Sequence, residues 1–268
     1  MNENNPIPPV IQSNDAAQKL ADSISAPQPV PSGSRQLGDD PAERVPISSV
    51  VGAIDAILRH PRRVMFQLRQ PDAGKLIAKM IFISIVCSLI YGVVVGTFSG
   101  GPQLWIAPAK IAMGLMISAL ICLPSLYIFT CLSGSQARLM EVCGLLAGLL
   151  MLMTILLIGF APVAWIFSQS TDAVTWMGAL HLIFWFIATI FGLRFLETGF
   201  SHSNAKSHAG FHVWVVIFLL VAVQMTTALR PIVGKSDTFL PTKKQFFLSH
   251  WGDCLSAVDN ESKSNSRE

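Results

Sequence analysis

Charge is the scarcest property of this chain. Asp, Glu, Lys and Arg make up 13% of the 268 residues and the mean hydropathy is +0.52, against roughly 25% charged residues in an ordinary soluble domain. A net charge of +3 is too small for a nucleic-acid binder, whose basic residues would gather on a domain of their own. The 5 cysteines form neither a CxxC pair nor a disulfide framework: Cys87, Cys122, Cys131 and Cys143 fall in or beside apolar runs as small packing residues, and Cys254 stands alone in the tail. No GxSxG elbow frames a serine, no glycine-rich turn precedes a Lys-Ser or Lys-Thr pair, and no His and Asp stand at a recognisable triad spacing. Accordingly no catalytic, cofactor-binding or metal-ligating residue is assigned, and the chain reads as non-enzymatic. A basic stretch followed by a short apolar core is also missing from the start, so the first apolar span is expected to direct its own insertion.

What is present is apolar sequence. Five runs, 76–98, 109–132, 139–167, 175–196 and 210–230, each reach the roughly 20 apolar residues that a helix needs to cross a hydrocarbon core about 30 Å thick. The expected fold is therefore all-α, a polytopic transmembrane bundle of five spans over 76–230. Orientation follows from Lys and Arg near the span ends. An inside amino terminus places Arg59, Arg62, Arg63, Arg69, Lys75, Lys79, Arg138, Arg194 and Lys206 on the cytoplasmic side, against Lys110, Arg230, Lys235, Lys243 and Lys244 opposite. The larger cluster also flanks the first span. The expectation is an amino terminus inside and a carboxyl terminus outside.

The ends have a different composition. Residues 1–46 are rich in Asn, Ser, Gln and Pro and are expected to stay disordered, because they bury too little apolar area to offset the entropy of ordering. Residues 231–268 form a second polar tail. Between the first tail and the spans, 47–75, Ile47, Val50, Val51, Ile54, Ile57 and Leu58 recur at helical spacing until Pro61 ends the run. Arg62, Arg63 and Arg69 follow, interleaved with Val64, Met65, Phe66 and Leu68. Two readings stay open: a segment anchored in the headgroup layer of an anionic leaflet, or a helix packed on the bundle.

Within the spans, Gly92 with Gly96 and Gly144 with Gly148 are GxxxG pairs, small enough to let two helix backbones approach in lipid. Pro124 and Pro162 are expected to kink the second and third spans, since each removes a backbone donor and crowds the preceding turn. Arg194, three residues before Glu197, and Arg230, which precedes the helix-ending Pro231, read as interfacial anchors. Glu141 suits the amino-terminal turn of the third span. His181 sits near the start of the fourth span; a neutral imidazole bonded to a backbone carbonyl is the expectation, with a proton relay as the alternative. His208 and His212 stand at i,i+4 spacing, but no Cys is near and Gly210 interrupts them, so a polar loop is preferred over a metal site.

Five spans behind a long polar amino terminus, with Pro124-Ser125-Leu126-Tyr127-Ile128-Phe129 leading to Leu132-Ser133-Gly134-Ser135, resemble the Yip-domain family of small membrane proteins over roughly residues 60–230. The ending Gln224-Met225-Thr226-Thr227-Ala228-Leu229-Arg230-Pro231-Ile232-Val233-Gly234, followed by Phe246-Phe247, is similar to that of bacterial members. The resemblance implies a cytosolic amino terminus and no catalysis, and it places the chain in a bacterial inner membrane. The resulting expectation is a membrane scaffold or organising protein with the lipid bilayer, other membrane proteins or its own copies as partners, no nucleic acid and no cofactor. A small-solute transporter or channel subunit is the alternative.

Overall fold

The computed structural model describes residues 37–99, 103–135, 137–170, 174–201 and 209–228. Among them are seven α-helices and no strand: α1 (Val50–Arg59), α2 (Pro61–Leu68), α3 (Ala73–Ser99), α4 (Gln103–Leu132), α5 (Leu139–Ser170), α6 (Val174–Ser201) and α7 (Ala209–Ala228). Segments of α3, α4, α5 and α6 are long and apolar enough to cross a membrane: Ala73–Thr97, Leu104–Leu132, Leu139–Ser170 and Trp176–Ser201. The fifth expected span corresponds to the shorter apolar stretch Gly210–Met225 within α7. Helix α4 starts well before residue 109, with Pro108 inside it as well as Pro124. Helix α5 runs through Pro162 to Ser170.

These helices are apolar all round, and that decides what surrounds them. In α3, Leu76, Met80, Ile83, Cys87, Tyr91 and Val95 are buried, while Ile81, Phe82, Val86, Leu89, Ile90 and Val93 are exposed on the opposite face. A soluble helix would carry polar residues there. Helix α5 lies deepest, with an unbroken buried run from Gly144 to Met151. Its neighbours are α3 and α6; α4 packs on α3, and α7 on α4. Successive long helices alternate in direction, because a Cβ on Gly92 near the end of α3 would meet Pro108 near the start of α4, and one on Gly199 late in α6 would meet Leu145 early in α5.

Local chemistry accounts for the ends. Ser49 caps α1 by accepting from the Gly52 amide at 2.9 Å. Pro61 opens α2, where its missing N–H costs nothing. Helix α4 closes in a Schellman motif: the Gly134 amide donates to Cys131 O and the Ser135 amide to Thr130 O, which requires the left-handed φ of 73° that Gly134 adopts.

Residues 37–46, within the tail expected to stay disordered, are ordered, and residues 1–36 lie outside the described residues. The chain divides after Gln36, and residues 37–46 hold a short 3₁₀ turn, Pro41–Arg44, capped by Asp40. What orders them is tertiary. Glu43 is buried, accepts from the Gly38 amide at 2.6 Å and pairs with Arg62 of α2.

Candidate functional site

One end of the bundle is capped. The segment 45–48 crosses α2 and the start of α3: Arg63 donates to Val45 O at 2.8 Å and Pro46 O at 3.2 Å, the Gln67 carboxamide accepts from the Ile47 amide at 3.0 Å and donates to Val45 O, and Lys79 donates to Ser48 O at 2.5 Å. Below it, Ala53, Ala56 and Ile57 of α1 and Val64, Met65 and Leu68 of α2 join the buried core. Arg69 pairs with Glu141 at the start of α5 at 3.8 Å. The three arginines expected to anchor in headgroups staple the cap to the bundle, Arg62 through Glu43, Arg63 through backbone carbonyls and Arg69 through Glu141. Burial alone would raise the Glu43 carboxyl, but the Arg62 guanidinium and the Gly38 amide outweigh it and hold the group below its ordinary 4.5.

The glycine pairs separate into different contacts. Gly144 receives the Leu68 side chain from the cap, while Gly148 receives the Phe195 ring of α6 together with Met80 of α3. Gly92 faces the backbone of Pro108, and Gly96 is buried. Helix α6 answers with Gly192 against Leu149 and Gly199 against Leu145. The i,i+7 spacing of those two glycines was the available signal, one turn longer than the spacing usually searched.

The opposite end holds a polar contact between two spans. The Tyr91 hydroxyl of α3 and Nδ1 of His181 of α6 are 2.7 Å apart, with the rings edge to face. His181 thus bonds a side chain on another span, not the backbone carbonyl expected for it. Tyr91 is buried against Val95, Met153, Leu157, Met177 and Phe184, and the other imidazole nitrogen, Nε2, is buried without a hydrogen-bond partner. An orphan of this kind costs about 1–3 kcal/mol. Lys110 of α4, counted from its position as an outer-side charge, is fully buried.

The remaining buried hydroxyls serve their own helices, and Thr189 also reaches Met153 Sδ of α5 at 3.6 Å. Ser84 donates to Met80 O, Ser118 to Gly114 O, Thr130 to Leu126 O, Thr154 to Leu150 O and Thr189 to Trp185 O, each one turn back at 2.7–2.9 Å. Such hydroxyls present no chain of donors and acceptors along the bundle. Helix α7 is fastened to α4 by Trp214, whose indole N–H donates to Cys122 O at 3.0 Å near the Pro124 turn and whose ring stacks on Phe218. Sequence reasoning passed over Trp214 because a tryptophan in an apolar run reads equally well as lipid-facing.

Other expected residues are not brought together. Arg194 and Glu197 are both exposed and, among the described residues, form no ion pair with each other. Among the described residues no group of three His, Cys, Asp or Glu gathers in a metal-binding arrangement. His212 is described, beside Phe211, but His208, Arg230 and Cys254 lie outside the described residues. Neither a protein-family model, nor a curated protein, nor a solved structure matches the chain.

Proposed function

We propose that this protein is a non-enzymatic, five-span integral membrane scaffold or membrane-organising protein, with its capped end in the cytoplasm of a bacterial inner membrane. The observation that carries the reading is the polar economy of the bundle: among the described residues the buried hydroxyls of Ser84, Ser88, Ser118, Thr130, Thr154 and Thr189 each bond a carbonyl of their own helix and so line no continuous polar path between the two ends. Helix α7 supports the fifth crossing, because its 20 residues reach about 30 Å at 1.5 Å per residue. Three exposed tryptophans, Trp105, Trp165 and Trp176, gather at the uncapped end, where an aromatic belt marks the far interface. Helix α1 fits an interfacial position: Ala53, Ala56 and Ile57 face the bundle, Val50, Val51 and Leu58 are exposed beside them, and Asp55 with Arg59 occupy the remaining side. The five spans and the loop after Pro124 keep the resemblance to Yip-domain proteins as part of this proposal.

The transporter alternative rests on one observation, the Tyr91–His181 pair with its buried free nitrogen. Reconstituted vesicles decide between the two. The scaffold reading expects no proton movement and no solute counterflow above empty liposomes, and no loss of any flux in His181→Gln. A pH-gradient-driven uptake that disappears in His181→Gln, at normal abundance and melting temperature, overturns it in favour of transport.

A further inference from the structure

Three cations at the capped end, Arg44, Arg63 and Lys79, bond uncharged acceptors, and Arg63 and Lys79 are the two held by the 45–48 segment. Arg63 is held by the carbonyls of Val45 and Pro46, and Lys79 by that of Ser48. A carbonyl orients a cation but does not neutralise it. Of the carboxylates at this end, Glu43 pairs with Arg62, Asp55 with Arg59, Asp72 with Lys75 and Glu141 with Arg69, while Asp40 caps the Pro41–Arg44 turn and Asp39 forms no ion pair among the described residues. Around the two cations the surface is apolar, with Val45 50% and Val51 75% exposed. From Lys79 the stripe continues down α3 through Phe82, 59% exposed, and Val86, which stand three and seven residues further along the same face. Both lie inside the apolar span Ala73–Thr97.

We infer that this corner is a binding site for an anionic phospholipid, with the phosphate at Arg63 and Lys79 and an acyl chain along Phe82 and Val86. An acidic peptide would match the two cations, but it would leave an apolar stripe within the span without a partner of its own kind. A phospholipid matches both halves, charge at the interface and hydrocarbon below it. The site also gives a use to the pinned 45–48 segment, whose carbonyls hold both Arg63 and Lys79.

The inference rests on the membrane-embedded reading, and fractionation tests that reading first, since a chain recovered without detergent from the soluble fraction removes it. The binding experiment uses the full chain in mixed micelles containing phosphatidylglycerol or phosphatidylcholine. Native mass spectrometry should show phosphatidylglycerol retained over phosphatidylcholine by on the order of tenfold, as expected for two cations near a surface phosphate. The melting temperature should rise more with phosphatidylglycerol, and that excess should fall between about 0.05 and 0.5 M NaCl, as screening shortens from more than 10 Å to a few Å. The preference should vanish in the Arg63→Gln, Lys79→Gln double variant and survive in Arg59→Gln. Should the double variant fail to fold, Lys79→Arg and Arg63→Lys, which keep the charge, must retain the preference. Equal retention of the two lipids by the parent chain overturns the proposal, as does an undiminished preference in a folded double variant. A larger melting shift with polyglutamate than with phosphatidylglycerol transfers the site to an acidic polypeptide.

Discussion

At the scale of single residues, the glycines show how much the identity of a neighbour matters. Gly92 abuts the Pro108 backbone, Gly148 abuts the Phe195 ring, and Gly144 abuts the tip of Leu68. Backbone moves only with its helix, whereas the end of a leucine side chain rotates away. Gly92→Ala should therefore cost more than Gly144→Ala, with Gly92→Ala and Gly148→Leu in the range of about 1–3 kcal/mol for overpacking. Gly159, with nothing within 4 Å of a built Cβ, is the control, and Gly159→Ala should melt at or above the parent temperature. Thermal denaturation in detergent reads the series; a Gly92→Ala protein that melts with the parent would show the α3–α4 approach to be slack. Glu43 supplies a pH test. Its carboxyl is depressed below 4.5 in the folded chain, so the stability it contributes is present above 4.5 and is lost as pH falls through the lower folded value. The difference in melting temperature between the parent and Glu43→Gln should be constant near neutrality and shrink on acidification below 4.5. A difference independent of pH would separate Glu43 from the cap.

Among the elements, α2 and α7 are the ones fastened at few points. The contact of α2 with α5 centres on Leu68 over Gly144 and on Arg69 with Glu141. Leu68→Ala should destabilise the cap by about 2–5 kcal/mol, as for other buried leucines. Hydrogen exchange should then quicken in α1 and α2 while α5 and α6 keep their protection. Uniform loss of protection in all helices would mean that the cap and the bundle unfold as one unit. For α7, Trp214→Phe keeps the stacking on Phe218 and loses one hydrogen bond to Cys122 O, a carbonyl that the Ser125 hydroxyl also reaches at 2.8 Å. Because that carbonyl stays satisfied, the cost should be near 1 kcal/mol. Trp214→Ala also removes the ring and should cost about 3–5 kcal/mol.

The whole molecule is organised by its two ends. One carries the cap and its basic residues, the other the exposed Trp105, Trp165 and Trp176. Along α5, the 24 steps from Glu141 to Trp165 cover about 36 Å, enough for a hydrocarbon core and part of its interfaces. With the capped end in the cytoplasm, a membrane-impermeant thiol reagent should label Trp176→Cys in intact cells and reach Arg138→Cys only after permeabilisation, both in chains with the native cysteines replaced. The reverse pattern inverts the molecule. Whether α7 crosses is read from Cys254 kept as the sole thiol: labelling in intact cells means five spans, and protection means four.

Hydropathy alone was sufficient for the long helices, because a run of apolar residues of bilayer length has few other stable environments, and each of the four long spans lies within a few residues of its expected bounds. The spacing singled out Gly144 and Gly148 as small residues, and in the structure they abut Leu68 and Phe195. Which partner fills each gap was not legible. That Leu68 sits over Gly144 while Phe195 sits over Gly148, that Arg63 and Lys79 are held by backbone carbonyls, and that Tyr91 meets His181 are pairings between residues far apart in the chain. No periodicity encodes such pairings; they follow from the order in which α7, α4, α3, α5 and α6 lie side by side. The same cause orders residues 37–46, part of the stretch expected to stay disordered, where Glu43 gains in Arg62 a partner that only the folded cap provides.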